Sequence, residues 1–234
     1  MKEKKKAVFN WSGGKDSSLA LQKVLQEDEY EVIALLTTIN AKTSNSSIHS
    51  IPLEILNAQA DSIGIPIYIV KLPSEYMTGY DQAMNNAINH FKTKGVRHFI
   101  FGDIFLYDVK TYRETKLSSY DIEIVEPLWN KTPEEIIEEF LTSGIRSKII
   151  VTQADKLDKT YIGSELDRHF VESLPRNVDV CGEEGEYHTL AYAGPLFKKE
   201  IKYLLGEPQS LSYDIKLDNG DIKTFNYWQA KITV

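Results

Sequence analysis

The first hundred residues alternate between runs that suit β-strands and runs with helical periodicity, an order few architectures accept. Residues 6–11, 31–38, 65–70 and 97–102 are short and strand-like. The run 31–38 is nearly continuous in apolar side chains (Val32, Ile33, Ala34, Leu35, Leu36), as a strand must be when both faces of its sheet are covered. Helical stripes lie between these runs. Residues 17–26 carry Ala20, Leu21, Val24 and Leu25; residues 49–63 carry Leu53, Leu56, Ala60 and Ile63; residues 77–94 carry Met77, Tyr80, Met84, Ala87, Ile88 and Phe91. Ser50 is the predicted N-cap of the second helix, with Pro52 in its first turn and Gly64 as its stop, and Gly95 stops the third. Repeated strand–helix–strand units imply a parallel sheet with right-handed crossovers. Ligands of such sheets lie beyond the carboxyl ends of the strands.

The remainder is more mixed. Residues 122–125, 147–153 and 188–192 are strand-like. Thr132-Pro133-Glu134-Glu135 reads as a capping box with proline at the first helical position, opening a helix that ends near Ser143 and Gly144. Asn219-Gly220 between residues 213–217 and 222–227 signals a hairpin. The expected division is residues 1–120 and 121–234, an α/β parallel-sheet domain followed by a smaller C-terminal α/β domain.

Composition narrows the function classes. Apolar residues make up 42% of 234 and charged residues 26%, which excludes wholesale disorder. Lys and Arg number 27 against 34 Asp and Glu, a net charge of −7, unlike a protein that binds bulk nucleic acid through many phosphates. The single Cys181 forms no internal disulfide and fits a reducing compartment. The apolar run after the lysine-rich start is too short for a signal peptide, and no stretch approaches the ~20 residues of a membrane span. A cytoplasmic protein with no membrane partner is expected.

The chemistry concentrates in Asn10-Trp11-Ser12-Gly13-Gly14-Lys15-Asp16-Ser17-Ser18, between the first strand and the first helix. Two glycines let backbone approach a ligand, and the helix start supplies N–H groups and a favourable dipole end. Lys15 adds a cation, and Ser12, Ser17 and Ser18 add hydroxyls. The result is a phosphate cradle. It is not a Walker loop, since Phe9 stands five positions before Gly14 and Asp16 follows the lysine. Asp16 facing a triphosphate requires a cation such as Mg²⁺, unless it only caps the turn.

This string resembles the signature of the PP-loop ATP pyrophosphatases, with a HUP or adenine nucleotide alpha hydrolase-like fold. The resemblance implies ATP and Mg²⁺, cleavage between the α- and β-phosphates, and an adenylated intermediate. It carries the binding role to Ser12, Gly13, Gly14, Lys15, Asp16 and Ser17, and places Thr37 and Thr38 beside the adenosine. A narrower resemblance, to the diphthine–ammonia ligase family, rests on residues 49–54, Gln59-Ala60, residues 64–66, Phe101-Gly102-Asp103-Ile104, Glu126-Pro127-Leu128-Trp129 and residues 180–189. That family adenylates a carboxylate on a modified histidine of elongation factor 2, and ammonia converts it to an amide. His188 stands where the ligase proper tends to have an acidic residue, and residues 102–113 also depart from its pattern. The combination resembles a bacterial branch with another, unnamed acceptor.

Several residues carry two readings. Glu183, Glu186 and His188 are expected to bind an amine, ammonia or Mg²⁺ and to shuttle a proton, or else to form a solvated acidic turn before a strand. Gly102 and Asp103 close a parallel strand where ligands sit, and Asp103 is equally suited to capping a turn. Arg113, four positions after Val109 on a helix, suits a phosphate, a carboxylate or a surface ion pair. The family resemblance puts His49 near the nucleotide. The expected function is an AMP-forming amide ligase acting on a carboxylate acceptor with ammonia or an amine as donor, with room for a homodimer. The alternatives are a tRNA- or nucleotide-modifying PP-loop enzyme and a nucleotide-binding module without turnover.

Overall fold

The structure, a computed structural model, describes residues 3–47, 49–73, 79–216 and 222–234. Its first sheet is parallel, with order β3-β2-β1-β4-β5. The strands are β1 (Lys5–Asn10), β2 (Tyr30–Asn40), β3 (Ile67–Leu72), β4 (His98–Ile100) and β5 (Glu123–Val125). Helices α1 (Lys15–Glu27), α2 (Leu53–Ile63), α3 (Tyr80–Thr93) and α4 (Tyr107–Ser118) connect them. On β1, Ala7 and Phe9 enter one core cluster while Val8 enters the other, the period-two alternation of a sheet covered on both faces. Leu35 and Leu36 divide in the same way on β2. The α/β class with a parallel sheet is therefore correct.

The second sheet is antiparallel, with order β7-β6-β9-β8. It is built from β6 (Arg146–Gln153), β7 (Tyr187–Ala193), β8 (Leu204–Lys216) and β9 (Ile222–Thr233), with α5 (Pro133–Thr142) and α6 (Arg168–Ser173) against it. The Thr132–Glu135 capping box is present in both directions. Strands β8 and β9 pair as expected of a hairpin, although the Asn219-Gly220 turn lies outside the described residues, as does Met77. One apolar cluster runs from Phe9, Leu21 and Leu56 through to Ile149, Leu190 and Tyr192, so the two sheets share a core.

Ser50 is not a helix cap. Its φ of 53° is left-handed, its N–H bonds to the Ser46 carbonyl, and α2 begins three residues later behind Pro52. Proline fixes its own φ and biases the preceding residue away from helix, which moves the start downstream. His49 consequently lies in a turn before the helix rather than on it. Trp129 packs on α4, with its ring 5.0 Å from that of Tyr107 and beneath the Lys110 ammonium at 4.3 Å, a contact between residues 1–120 and 121–234.

Candidate active site

The phosphate loop is shaped from three directions. Gly13 takes φ 84°, which an L-residue adopts only with strain, and a Cβ there would lie 2.8 Å from Gln59 Oε1. Gln59, fully buried on α2, has its side chain saturated. Its Nε2 donates to the carbonyls of Gly13 (3.0 Å) and Ala191 (2.6 Å), and its Oε1 accepts from Trp11 Nε1 (3.0 Å). From β7, the Ala191 N–H donates to the Gly13 carbonyl, and Thr189 Oγ1 accepts the Lys15 N–H at 2.8 Å. The first turn of α1, whose N-cap Gly14 has no side chain, is thus capped from the second sheet. Ser17 and Ser18 hydroxyls fold back on the Gly14 carbonyl, and Ser12 Oγ meets Ser17 Oγ at 3.0 Å.

Lys15 is only 5% exposed. Its Nζ lies 2.6 Å from Asp16 Oδ2 and 5.7 Å from the Tyr187 ring centroid. Burial opposes its charge, but Asp16, Cys181 and Glu183 outweigh burial and hold its pKa above the usual value. Gly102, two residues past β4, lets the chain leaving that strand approach the first turn of α1. A Cβ there would sit 3.1 Å from the Asp16 carbonyl and the Ser17 nitrogen.

These groups line a cavity of about 1010 Å³ at the carboxyl ends of the parallel strands. Ser12, Gly14, Lys15, Asp16 and Ser17 form one part of its wall. Thr37, Thr38 and His49 form another, and Gly102, Asp103, Arg113, Glu183 and His188 complete it. Gly13 is set behind the loop surface. Glu186 also lies outside the lining: it is 2% exposed, with Oε1 accepting the Asp179 N–H at 3.2 Å. Asp179 in turn accepts the N–H groups of Cys181 and Glu183 through its carboxylate. Glu186 therefore braces the acidic loop, and the loop's carboxylate in the cavity is Glu183. Cys181 is wholly buried, donates to the Pro133 carbonyl, and has its thiol pushed up to about 12 by burial, the state of an inert structural cysteine.

Glu183 has the most useful electrostatics. Burial and then the Asp16 charge push its carboxyl up to about 7, against Lys15 and the Ile104 N–H, which Oε1 accepts at 3.2 Å. Asp179 adds to the rise. The two histidines respond oppositely. Their rings meet edge to face at 4.5 Å. Burial and Lys15 lower His49 to about 4; burial, His49 and Lys15 lower His188 well below the usual imidazole range. Both are neutral near pH 7, each offering one donor and one acceptor.

Sequence reasoning missed Gln59, Asp179 and Thr189 as builders of the site. Gln59 and Thr189 stand in stretches that carry the family resemblance, but their contacts run to groups far away in the chain, while Asp179 bonds within its own loop; no local pattern assigns these roles. Arg113 does reach the cavity, paired with Asp103.

Known proteins resemble the chain in sequence. The family model described as diphthamide synthase N-terminal domain matches residues 4–117, and that described as diphthamide synthase C-terminal domain matches residues 132–220. The chain is 39% identical to the human diphthine–ammonia ligase over 79 residues, 32% of this chain and 30% of that protein, so this match spans under a third of the relative's length. Longer matches join it to the ligases of mouse (26% over 218 residues, 81% of this chain and 79% of the relative) and of Danio rerio (25% over 213 residues, 81% and 83%). Among the described residues, no helix is long and apolar enough to cross a membrane. With both of its parts matched by the two models of one family, the chain belongs to the diphthamide synthase family.

Proposed function

We propose that the chain is an ATP-dependent amide ligase that adenylates a carboxylate and releases AMP and pyrophosphate. The observation that carries this reading is the joining of the glycine–lysine cradle and Glu183 in one cavity, within a chain whose family relatives are diphthine–ammonia ligases. Residues 1–120 supply the nucleotide site and residues 121–234 the acidic loop. Neither the tRNA-directed nor the turnover-free alternative finds support among the relatives.

The steps follow from the charges. Phosphates lie on the loop between Ser12, Gly14, Lys15 and Ser17, with adenosine toward Thr37, Thr38 and His49, and Gly102 and Asp103 closing the wall. A carboxylate oxygen of the acceptor attacks the α-phosphorus, and the bond to the β-phosphate oxygen breaks. Lys15 and the loop amides take up the charge of the departing pyrophosphate. Asp16 faces the cavity beside Glu183, and two carboxylates this close favour a cation between them and the phosphates. Asp16 would hold Mg²⁺ there, together with phosphate oxygens, and the ion would neutralise charge on the leaving group. Ammonia then attacks the acyl carbon, AMP departs, and the extra proton on nitrogen passes to Glu183. A carboxyl near 7 suits this transfer at neutral pH. His188 stays neutral and orients the acceptor or amine by hydrogen bonding, while Glu186 holds the loop. In this reading the protein acts in the cytoplasm.

Product analysis with α-labelled and γ-labelled ATP, ammonia and a carboxylate acceptor tests the reading. AMP and pyrophosphate in equal amounts are expected; ADP and phosphate would sink it. Glu183 has its own signature. At fixed free-ammonia concentration, turnover should rise with pH through about 7, because only the deprotonated carboxylate accepts a proton. Glu183→Gln should remove that limb and slow the reaction by about 10²–10⁴-fold, the range for a positioned acid–base group. A retained limb would assign the proton to another residue.

A further inference from the structure

Arg113 enters the cavity with no part in these steps. It projects from α4, and its guanidinium carbon lies 4.2 Å from the centroid of the Phe101 ring. Among the described residues its ion-pair partner is Asp103, met through Nη1. Arg113 Nη1 and Asp103 Oδ2, both cut off from solvent, face each other in that pair and leave the other edge of the guanidinium uncommitted. The neighbouring charges are committed elsewhere: Lys110 pairs with Glu126 and covers Trp129, and Lys15 pairs with Asp16. A rigid fork of donors therefore faces the cavity from a wall made by Tyr80, Met84, Phe101, Leu106 and Val109.

The shape and charge of this corner select its ligand. A guanidinium binds a planar carboxylate through two parallel N–H···O bonds. A multiply charged phosphate would meet the Asp103 carboxylate beside Arg113 and the Glu183 charge that Arg113 feels, and the loop around Lys15 already serves phosphates. The apolar and aromatic wall suits carbon next to the anionic group, not ribose. We propose that Arg113 is the docking point of the acceptor's carboxylate, with an apolar or aromatic body of the acceptor against Phe101 and Tyr80. This deepens the ligase reading and rests on it for the word acceptor. Asp103 then acts as the counter-ion that holds the empty fork in place and yields an edge of it to the incoming carboxylate.

Benzoate serves as the probe, with benzamide as its uncharged twin, titrated calorimetrically into the full chain with and without ATP. Wild type should bind benzoate and discriminate against benzamide. Arg113→Met, which keeps apolar contact with Phe101, should weaken benzoate by roughly 10- to 100-fold, the worth of a charge-assisted pair. Arg113→Lys should fall between, because a point charge replaces the fork. ATP affinity should stay within about twofold in both variants, and thermal unfolding checks that both remain folded. Benzoate binding that is absent in wild type, or unchanged in Arg113→Met, overturns the proposal. So does a loss of ATP affinity with benzoate unaffected, which would assign Arg113 to the nucleotide. Failure of the ligase reading looks different: ADP among the labelled products, with benzoate still bound through Arg113.

Discussion

Lys15→Ala should lower turnover by about 10²–10³-fold, the scale of removing one preorganised group that stabilises transition-state charge. The loss should fall mainly on turnover, since the loop amides and hydroxyls still bind phosphate. A second effect travels with it. Lys15 lowers the Glu183 pKa in the folded protein, so its removal should move the rising limb of the pH–rate profile above about 7. Both follow from pyrophosphate-release assays across pH in wild type and variant. Turnover within about fivefold of wild type would mean that the departing charge is stabilised elsewhere. A deep loss with an unmoved limb would instead separate the lysine from the acidic loop.

Gln59→Leu should destabilise the protein by about 2–5 kcal/mol and weaken ATP binding, although Gln59 is absent from the cavity wall. The substitution strips the acceptor from Trp11 Nε1 and a donor from the Ala191 carbonyl, each buried loss costing about 1–3 kcal/mol, while the Gly13 carbonyl keeps the Ala191 N–H. Gln59→Glu separates shape from hydrogen bonding. Its carboxylate would face two carbonyl oxygens at the distances where Gln59 now donates, so the neutral form is favoured and the folded-state pKa rises above the unfolded one. Such a group keeps its contribution at low pH and loses it as pH climbs past the unfolded value toward the folded one. The gap in unfolding free energy between Gln59→Glu and wild type should therefore be narrower at pH 5 than at pH 8. A gap independent of pH would show that the amide's hydrogen bonds do not set the loop.

The parallel half of the molecule was legible because its physics is local. Ala7, Val8 and Phe9 alternate between two cores, and Gly64 ends α2 in the left-handed region that favours glycine. The second half depends on pairing between distant segments. Strand β8 begins at Leu204, well before the apolar pattern suggests, and carries Pro208 at a bulge on the edge of the sheet, a place where a missing donor is tolerated. Helix α4 buries Leu117 alone among its residues, so its stripe is faint and only the spacing of Val109 and Arg113 hinted at it. The candidate site was readable where it is a string, from Ser12 to Ser17, and where the family pattern supplied the late loop. It was not readable where a side chain acts on remote backbone. Glu186 and Glu183 are indistinguishable as letters, yet Gly182 and Gly185 in left-handed conformations leave one carboxylate at the cavity and one beneath the loop.

The capping of α1 by Thr189 spans 174 residues of sequence. A ribosome adding about 5–20 residues per second completes that interval in roughly 10–35 seconds. For all that time the nascent chain carries its phosphate loop without the hydroxyl on the Lys15 amide or the Ala191 donor on the Gly13 carbonyl. Maturation of the nucleotide site is thereby deferred to the end of synthesis. A chain released early would carry the loop's sequence without its finished form, so competence to spend ATP arrives together with the acidic loop that directs it.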